Sequence, residues 1–113
     1  MNELNISDEL KNNYQDYYAN GDSEWRRIGA IDKAKNIILL CGKLPDTSIL
    51  EIGAGDGSIL NRLSELNFGD NLYALEISQS GVDTIINKCI PRLAECKLFD
   101  GYHIFLMKTI NLI

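Results

Sequence analysis

The residues best placed to do chemistry lie in one short stretch, Glu51-Ile52-Gly53-Ala54-Gly55-Asp56-Gly57. Three alternate glycines allow a tight turn and let a ligand approach the backbone with no Cβ in the way. A helix predicted to start near Ser58 points its free N–H groups and positive dipole end at this turn. Dinucleotide loops of the GxGxxG kind hold a pyrophosphate at such a place. Here the pattern is GxGxG, without a glycine at the sixth position, which weakens a phosphate reading and leaves a nucleoside reading intact. A carboxylate or the carbon chain of an amino-acid-like ligand could approach equally closely. Glu76 follows 19 residues beyond Gly57. A carboxylate there offers several lone pairs and no competing donor, so it can accept both hydroxyls of a ribose. Asp100 either holds an adenine amino group or caps the turn before Gly101.

The elements that must position these residues follow from periodicity. From Glu24 to Cys41 the apolar residues Trp25, Ile28, Ile31, Ala34, Ile38 and Cys41 recur in steps of three and four and predict an amphipathic helix. Ser23 is placed to cap its start, Gly42 to end it and Pro45 to enforce the break. Ser48 to Ile52 is a strand that enters the glycine-rich turn. Ser58 to Leu66 is a helix with Ile59, Leu60, Leu63 and Leu66 on one face. Leu72 to Ile77 is a second strand. Ser80 with Asp83 suggests a capping box on a further helix, which sets Val82, Ile85, Ile86, Cys89 and Leu93 on one side until Pro91 bends or ends it. Leu98-Phe99, with Cys96, is a third strand, and a last strand falls near Ile110 to Ile113. Strands alternating with helices imply parallel pairing and right-handed crossovers. All the strand ends then share one sheet edge, where ligands bind in open α/β folds.

Composition limits the partners. The chain has 113 residues, 16 acidic and 11 basic, for a formal charge of −5. A negative chain with no basic cluster beyond Arg26-Arg27 argues against nucleic acid and anionic membrane surfaces. Its apolar runs are far short of a membrane span. The polar start, MNELNISDELKNN, is unlike a signal peptide, and three cysteines with no CxxC spacing (Cys41, Cys89, Cys96) suggest a reducing, cytoplasmic setting with the thiols buried. One histidine, His103, makes no metal site and is expected to be a surface or packing residue.

The run Ile49-Leu50-Glu51-Ile52-Gly53-Ala54-Gly55-Asp56-Gly57 resembles the first motif of class I S-adenosylmethionine-dependent methyltransferases, hydrophobic-hydrophobic-(Glu or Asp)-hydrophobic-Gly-x-Gly-x-Gly. The leader Trp25 to Ile37 also resembles the helix that precedes this motif in small-molecule methyltransferases. The resemblance spans about residues 22 to 113 and implies S-adenosylmethionine as cofactor and a small-molecule acceptor. The loop residues Glu51, Gly53, Ala54, Gly55 and Gly57 would hold its methionine part. Glu76, with Ile77 beside it, would hold the ribose, and Asp100 would contact the adenine. Lys33 could pair with the cofactor carboxylate or be a solvated helix lysine. Trp25 could pack or line the mouth. Tyr14, Tyr17 and Tyr18 could form a lid or an ordinary helix face.

The implied fold is a three-layer Rossmann-like α/β unit, incomplete, with parallel strands ordered 3-2-1 and a fourth beside the first. Residues 1–22 form a partly helical leader and residues 23–113 the N-terminal half of the cofactor-binding domain. The family's seven-stranded sheet is cut after three strands and the start of a fourth, and Asn111 stands where the strand-four motif usually has an acid. The expectation is therefore a truncated methyltransferase, with two alternatives: a non-catalytic remnant keeping the fold or a weak nucleoside site, and an NAD-binding Rossmann protein. An uncovered sheet edge and the apolar tail HIFLMKTINLI suggest self-association or a complementary fragment.

Overall fold

The computed structural model describes Tyr18, residues 24–42 and residues 47–99. The described elements are helix α1 (Glu24–Cys41), strand β1 (Ser48–Ile52), helix α2 (Ser58–Glu65), strand β2 (Asn71–Glu76), helix α3 (Gln79–Asn87) and strand β3 (Leu93–Leu98). The strands form one parallel sheet in the order β1–β2–β3. Ser23, Pro45, Asp100, His103 and the tail with its fourth strand lie outside the described residues.

Alternation along the strands sorts their side chains to two faces. Ile49, Leu72, Ala74 and Cys96 face the three helices and join Ala34, Leu60, Leu63 and Ile85 in the main core. Leu50, Tyr73 and Leu75 form a second cluster with Phe99 on the opposite face. Among the described residues the helices therefore cover one face of the sheet. β2 is the central strand, and every residue after Asn71 in it is buried.

Four sequence expectations are corrected. The expected face of α1 holds at Ala34 and Ile38 but not at Trp25, Ile28 and Ile31: Trp25 is 68% exposed and Ile28 54%, whereas Ala30 and Ala34 are buried. Alanines let α1 approach α2 closely; large side chains at those positions would hold the helices apart. The third strand is Leu93–Leu98 rather than Leu98-Phe99, because Arg92 ends the turn begun at Pro91 and Leu72 N–H donates to its carbonyl. α3 ends at Asn87, so Cys89 and Leu93 leave its face, and Ile86, within the helix, is exposed along with Cys89. The cysteines are correspondingly not core residues: Cys41 and Cys89 are exposed and Cys96 is half-buried.

Gly42 ends α1 as its sequence position predicts. It adopts φ 66 and donates to the Ile38 carbonyl at 2.9 Å. No described helix is long and apolar enough to cross a membrane.

Leu60 is fully buried at the centre of the main cluster, while Leu40 is 87% exposed. Leu60→Ala is expected to cost about 2–5 kcal/mol in urea unfolding. Leu40→Ala should stay within about 0.5 kcal/mol of the parent.

Candidate functional site

The turn between β1 and α2 is built by β2. The N–H groups of Gly53 and Ala54 both donate to the Leu75 carbonyl, at 2.8 and 3.0 Å. The chain then tightens, with Gly57 N–H on the Ala54 carbonyl at 3.0 Å. Gly53, Gly55 and Gly57 all have positive φ, at 77, 63 and 79°. Gly57 is required twice over. It caps α2 in the left-handed region, and a Cβ there would stand 2.9 Å from Ile85 Cγ1. Asp56 completes the cap: its Oδ1 accepts from Ser58 N–H at 3.1 Å and from Ser58 Oγ at 2.7 Å.

Glu76 ends β2 and is 3% exposed. Its Oε1 accepts the Gly55 N–H at 2.9 Å and its Oε2 accepts the Ser78 N–H at 2.8 Å. The acid thus clamps the glycine turn to the start of α3. Ser78, rather than Ser80, is the N-cap of α3, taking the Gly81 N–H at 3.3 Å and sharing a 2.7 Å hydrogen bond with Ser80 Oγ. Gly81 is where the helix presses on the turn. A Cβ there would lie 2.7 Å from Glu76 Cγ and 2.7 Å from the Gly55 carbonyl oxygen. Ile77, half-buried, occupies the corner between Glu76 and Ser78.

Beside the turn lies a cavity of about 170 Å³. Its walls include Arg26 and Lys33 from α1, Glu51 from β1, and Gly55 and Asp56 from the turn. Of the two acids in this lining, Glu51 and Asp56, each has one buried carboxylate oxygen, Oε1 and Oδ2 respectively, with no hydrogen-bond partner. Burial, with Asp56 and Glu76 adding to it and Lys33 opposing, pushes the Glu51 carboxyl up to about 7. The arrangement suits a small zwitterion, with an ammonium against Glu51 and Asp56 and a carboxylate toward Arg26 or Lys33. Trp25 lines the mouth of this cavity and does not anchor the core.

The structure therefore brings Glu51, Gly53, Ala54, Gly55, Gly57 and Glu76 to one place, with Ile77 at its margin. Sequence reasoning missed Asp56, Arg26, Ser78 and Gly81. A glycine in the first turn of a helix, as in Ser80-Gly81-Val82, was the available signal for Gly81. Among the described residues no group of three His, Cys, Asp or Glu side chains is placed to hold a metal ion.

No protein-family model matches the chain, and no curated protein matches it. Solved structures do. Phosphoethanolamine N-methyltransferase 1 of Haemonchus contortus, in complex with phosphoethanolamine and S-adenosylhomocysteine, superposes with a TM-score of 0.54 at 15% identity, over 88% of this chain and 23% of that one. DhpI in complex with SAH gives 0.53 at 21% identity, over 84% and 47%. The chain carries part of the class I methyltransferase fold. YjhP of E. coli is similar at 0.50 and 18% identity, over 61% and 29%. The chain thus spans less than half the length of each of these similar proteins.

Glu51 sets a pH dependence. Its folded-state value, about 7, lies above the ordinary 4.5. Below 4.5 the carboxyl is protonated in both states. As pH rises toward 7 the unfolded chain loses the proton and the folded chain keeps it, so stability falls, by on the order of 3 kcal/mol in all, and levels off above 7. Glu51→Gln is expected to flatten this decline in thermal melts between pH 5 and 8. An equally steep decline in the variant would place the titrating group elsewhere.

Proposed function

We propose that residues 23–113 are the N-terminal, cofactor-binding half of an S-adenosylmethionine-dependent methyltransferase acting on a small-molecule acceptor. The observation that carries this reading is the charge distribution of the cavity: its lining combines the acids Glu51 and Asp56, each with a buried carboxylate oxygen that has no partner, the cations Arg26 and Lys33, and the glycine turn. That pattern fits the amino-acid end of S-adenosylmethionine. The cofactor, when bound, supplies a methyl group already activated by its sulfonium charge.

The residues of this chain bind and orient. Glu51 receives the ammonium, with the buried Asp56 adding negative charge behind it, and a cation beside Glu51 favours its ionised form. Arg26 and Lys33 face the carboxylate. Gly53, Ala54 and Gly55 let the ligand lie against the backbone. Glu76 retains acceptor capacity beyond its two backbone bonds and takes the ribose hydroxyls, with Ile77 beside the sugar. Asp100 contacts the adenine. The sheet continues with a fourth strand beside β1, giving the order 3-2-1-4. Methyl transfer then needs alignment of the acceptor with the methyl–sulfur bond and exclusion of water, and a base only if the acceptor must lose a proton early. Acceptor-side residues belong to the portion of the fold outside the stretch matched in the similar proteins.

Titration calorimetry with S-adenosylhomocysteine tests the reading. Binding is expected in the parent chain. Glu51→Gln should weaken it about tenfold or more through loss of a charge-assisted contact to the ammonium. Glu76→Ala should weaken it at least as much, since it removes the ribose acceptor and also frees the Gly55 N–H. No binding heat at millimolar ligand would overturn the proposal.

A further inference from the structure

The two ends of the site differ. The cavity at the Glu51 end is open, but the Glu76 carboxylate is sealed. Among the described residues the group lying over it is Tyr18. A Cβ on Gly55 would stand 3.0 Å from the Tyr18 hydroxyl, and a Cβ on Gly81 would stand 3.1 Å from its ring Cδ2. The ring therefore bridges the gap between the glycine turn and α3, the two segments that the Glu76 carboxylate ties together beneath it. Polar contacts hold it there. The Tyr18 N–H donates to Ser80 Oγ at 2.9 Å, and Thr84 Oγ1 donates to the Tyr18 carbonyl at 3.4 Å while making its stronger bond to the Ser80 carbonyl at 2.8 Å. The Arg26 guanidinium lies 4.8 Å from the Tyr18 ring centre and the same distance from that of Trp25.

We propose that Tyr18 is a plug occupying the place of the nucleoside sugar, so that ligand binding must expel it. The proposal rests on the reading of Glu76 as the ribose acceptor. An acid that receives hydroxyl groups from outside has to be reached from outside, and at 3% exposure it cannot be. Glu76 is enclosed below by β2, the turn and α3, which are core elements. Tyr18 is only half-buried and belongs to neither the sheet nor the described helices, so it is the part that gives way. A site whose competent form is a minor population binds with an affinity reduced by that fraction. Tyr18 thereby lowers the affinity of a site whose amino-acid end is already accessible, and the Glu51 cavity becomes the point of first contact. Because Arg26 stacks on the plug and also lines that cavity, engagement of Arg26 by a ligand carboxylate loosens the plug from the side.

The sign of one substitution tests this. With S-adenosylhomocysteine as probe, Tyr18→Ala should bind about tenfold tighter than the parent, while Tyr18→Phe, which keeps the ring, should stay close to the parent. Weaker or unchanged binding by Tyr18→Ala would overturn the plug, weaker binding meaning that the ring closes over the ligand rather than in its place. Amide hydrogen exchange of the ligand-free chains gives a second readout. The Gly55 and Ser78 N–H groups should exchange faster in Tyr18→Ala, with Leu72 in the central strand unchanged as the folding control. Unaltered exchange at Gly55 and Ser78 would overturn the plug whether or not the probe binds. Faster exchange with no probe binding to any of the chains would uphold Tyr18 as the cover of Glu76 and overturn the nucleoside reading instead.

Discussion

A single buried carboxylate organises this structure. Glu76 accepts one backbone N–H from the turn after β1 and another from the start of α3, at 2.9 and 2.8 Å. Each is a bond from a neutral donor to a charged acceptor in a poorly hydrated place, where such bonds are strong and their loss leaves a buried donor unsatisfied. The consequence is geometric. With Gly55 held from one side and Gly53 and Ala54 held by the Leu75 carbonyl, the turn has one available path. The glycines make that path possible; the end of β2 makes it the one taken.

The same arrangement divides the charge. Glu76 has backbone partners for both oxygens, whereas Glu51 and Asp56 each keep a buried oxygen without one. Native proteins rarely leave such atoms unmatched unless a bound group or a proton completes them. Lys33 offsets part of the resulting negative charge around Glu51 and does not remove it. Glu76 is thus satisfied within the protein by the turn and α3, whereas Glu51 and Asp56 keep acceptor capacity that the described residues do not use.

Much of this was legible in the sequence. The run SILEI followed by GAGDG reads as strand and turn because β-branched and apolar residues give way abruptly to glycines, and the structure has β1 and the turn there. Glu76 was legible because it closes the apolar run Leu72–Leu75. The face of α1 was not. The three-and-four spacing selects Ala34 and Ile38 correctly but also Trp25, Ile28 and Ile31, which are exposed, and it passes over Ala30, a small residue that makes close helix contact and carries little signal in a hydrophobicity pattern. β3 was obscured for another reason. Glu95 and Lys97 interrupt Leu93–Leu98, and an outer strand of the described sheet tolerates charges that a central strand such as β2 does not. Asp56 went unrecognised because its position in the motif is one where many residue types fit, and only its side-chain environment reveals its role.

The close seating of Gly81 against the Gly55 carbonyl bears on how the chain folds. The turn at 53–57 owes its shape to Leu75, Glu76 and Gly81, all 18 or more residues beyond its end. Its neighbours in sequence cannot impose that shape, because they supply neither the carbonyl nor the carboxylate. During synthesis from the N-terminus, β1 and the glycines therefore leave the ribosome without the partners that define them, and the turn takes its final form only when the first turn of α3 has followed. The glycine turn is an early piece of the chain and a late event in its assembly.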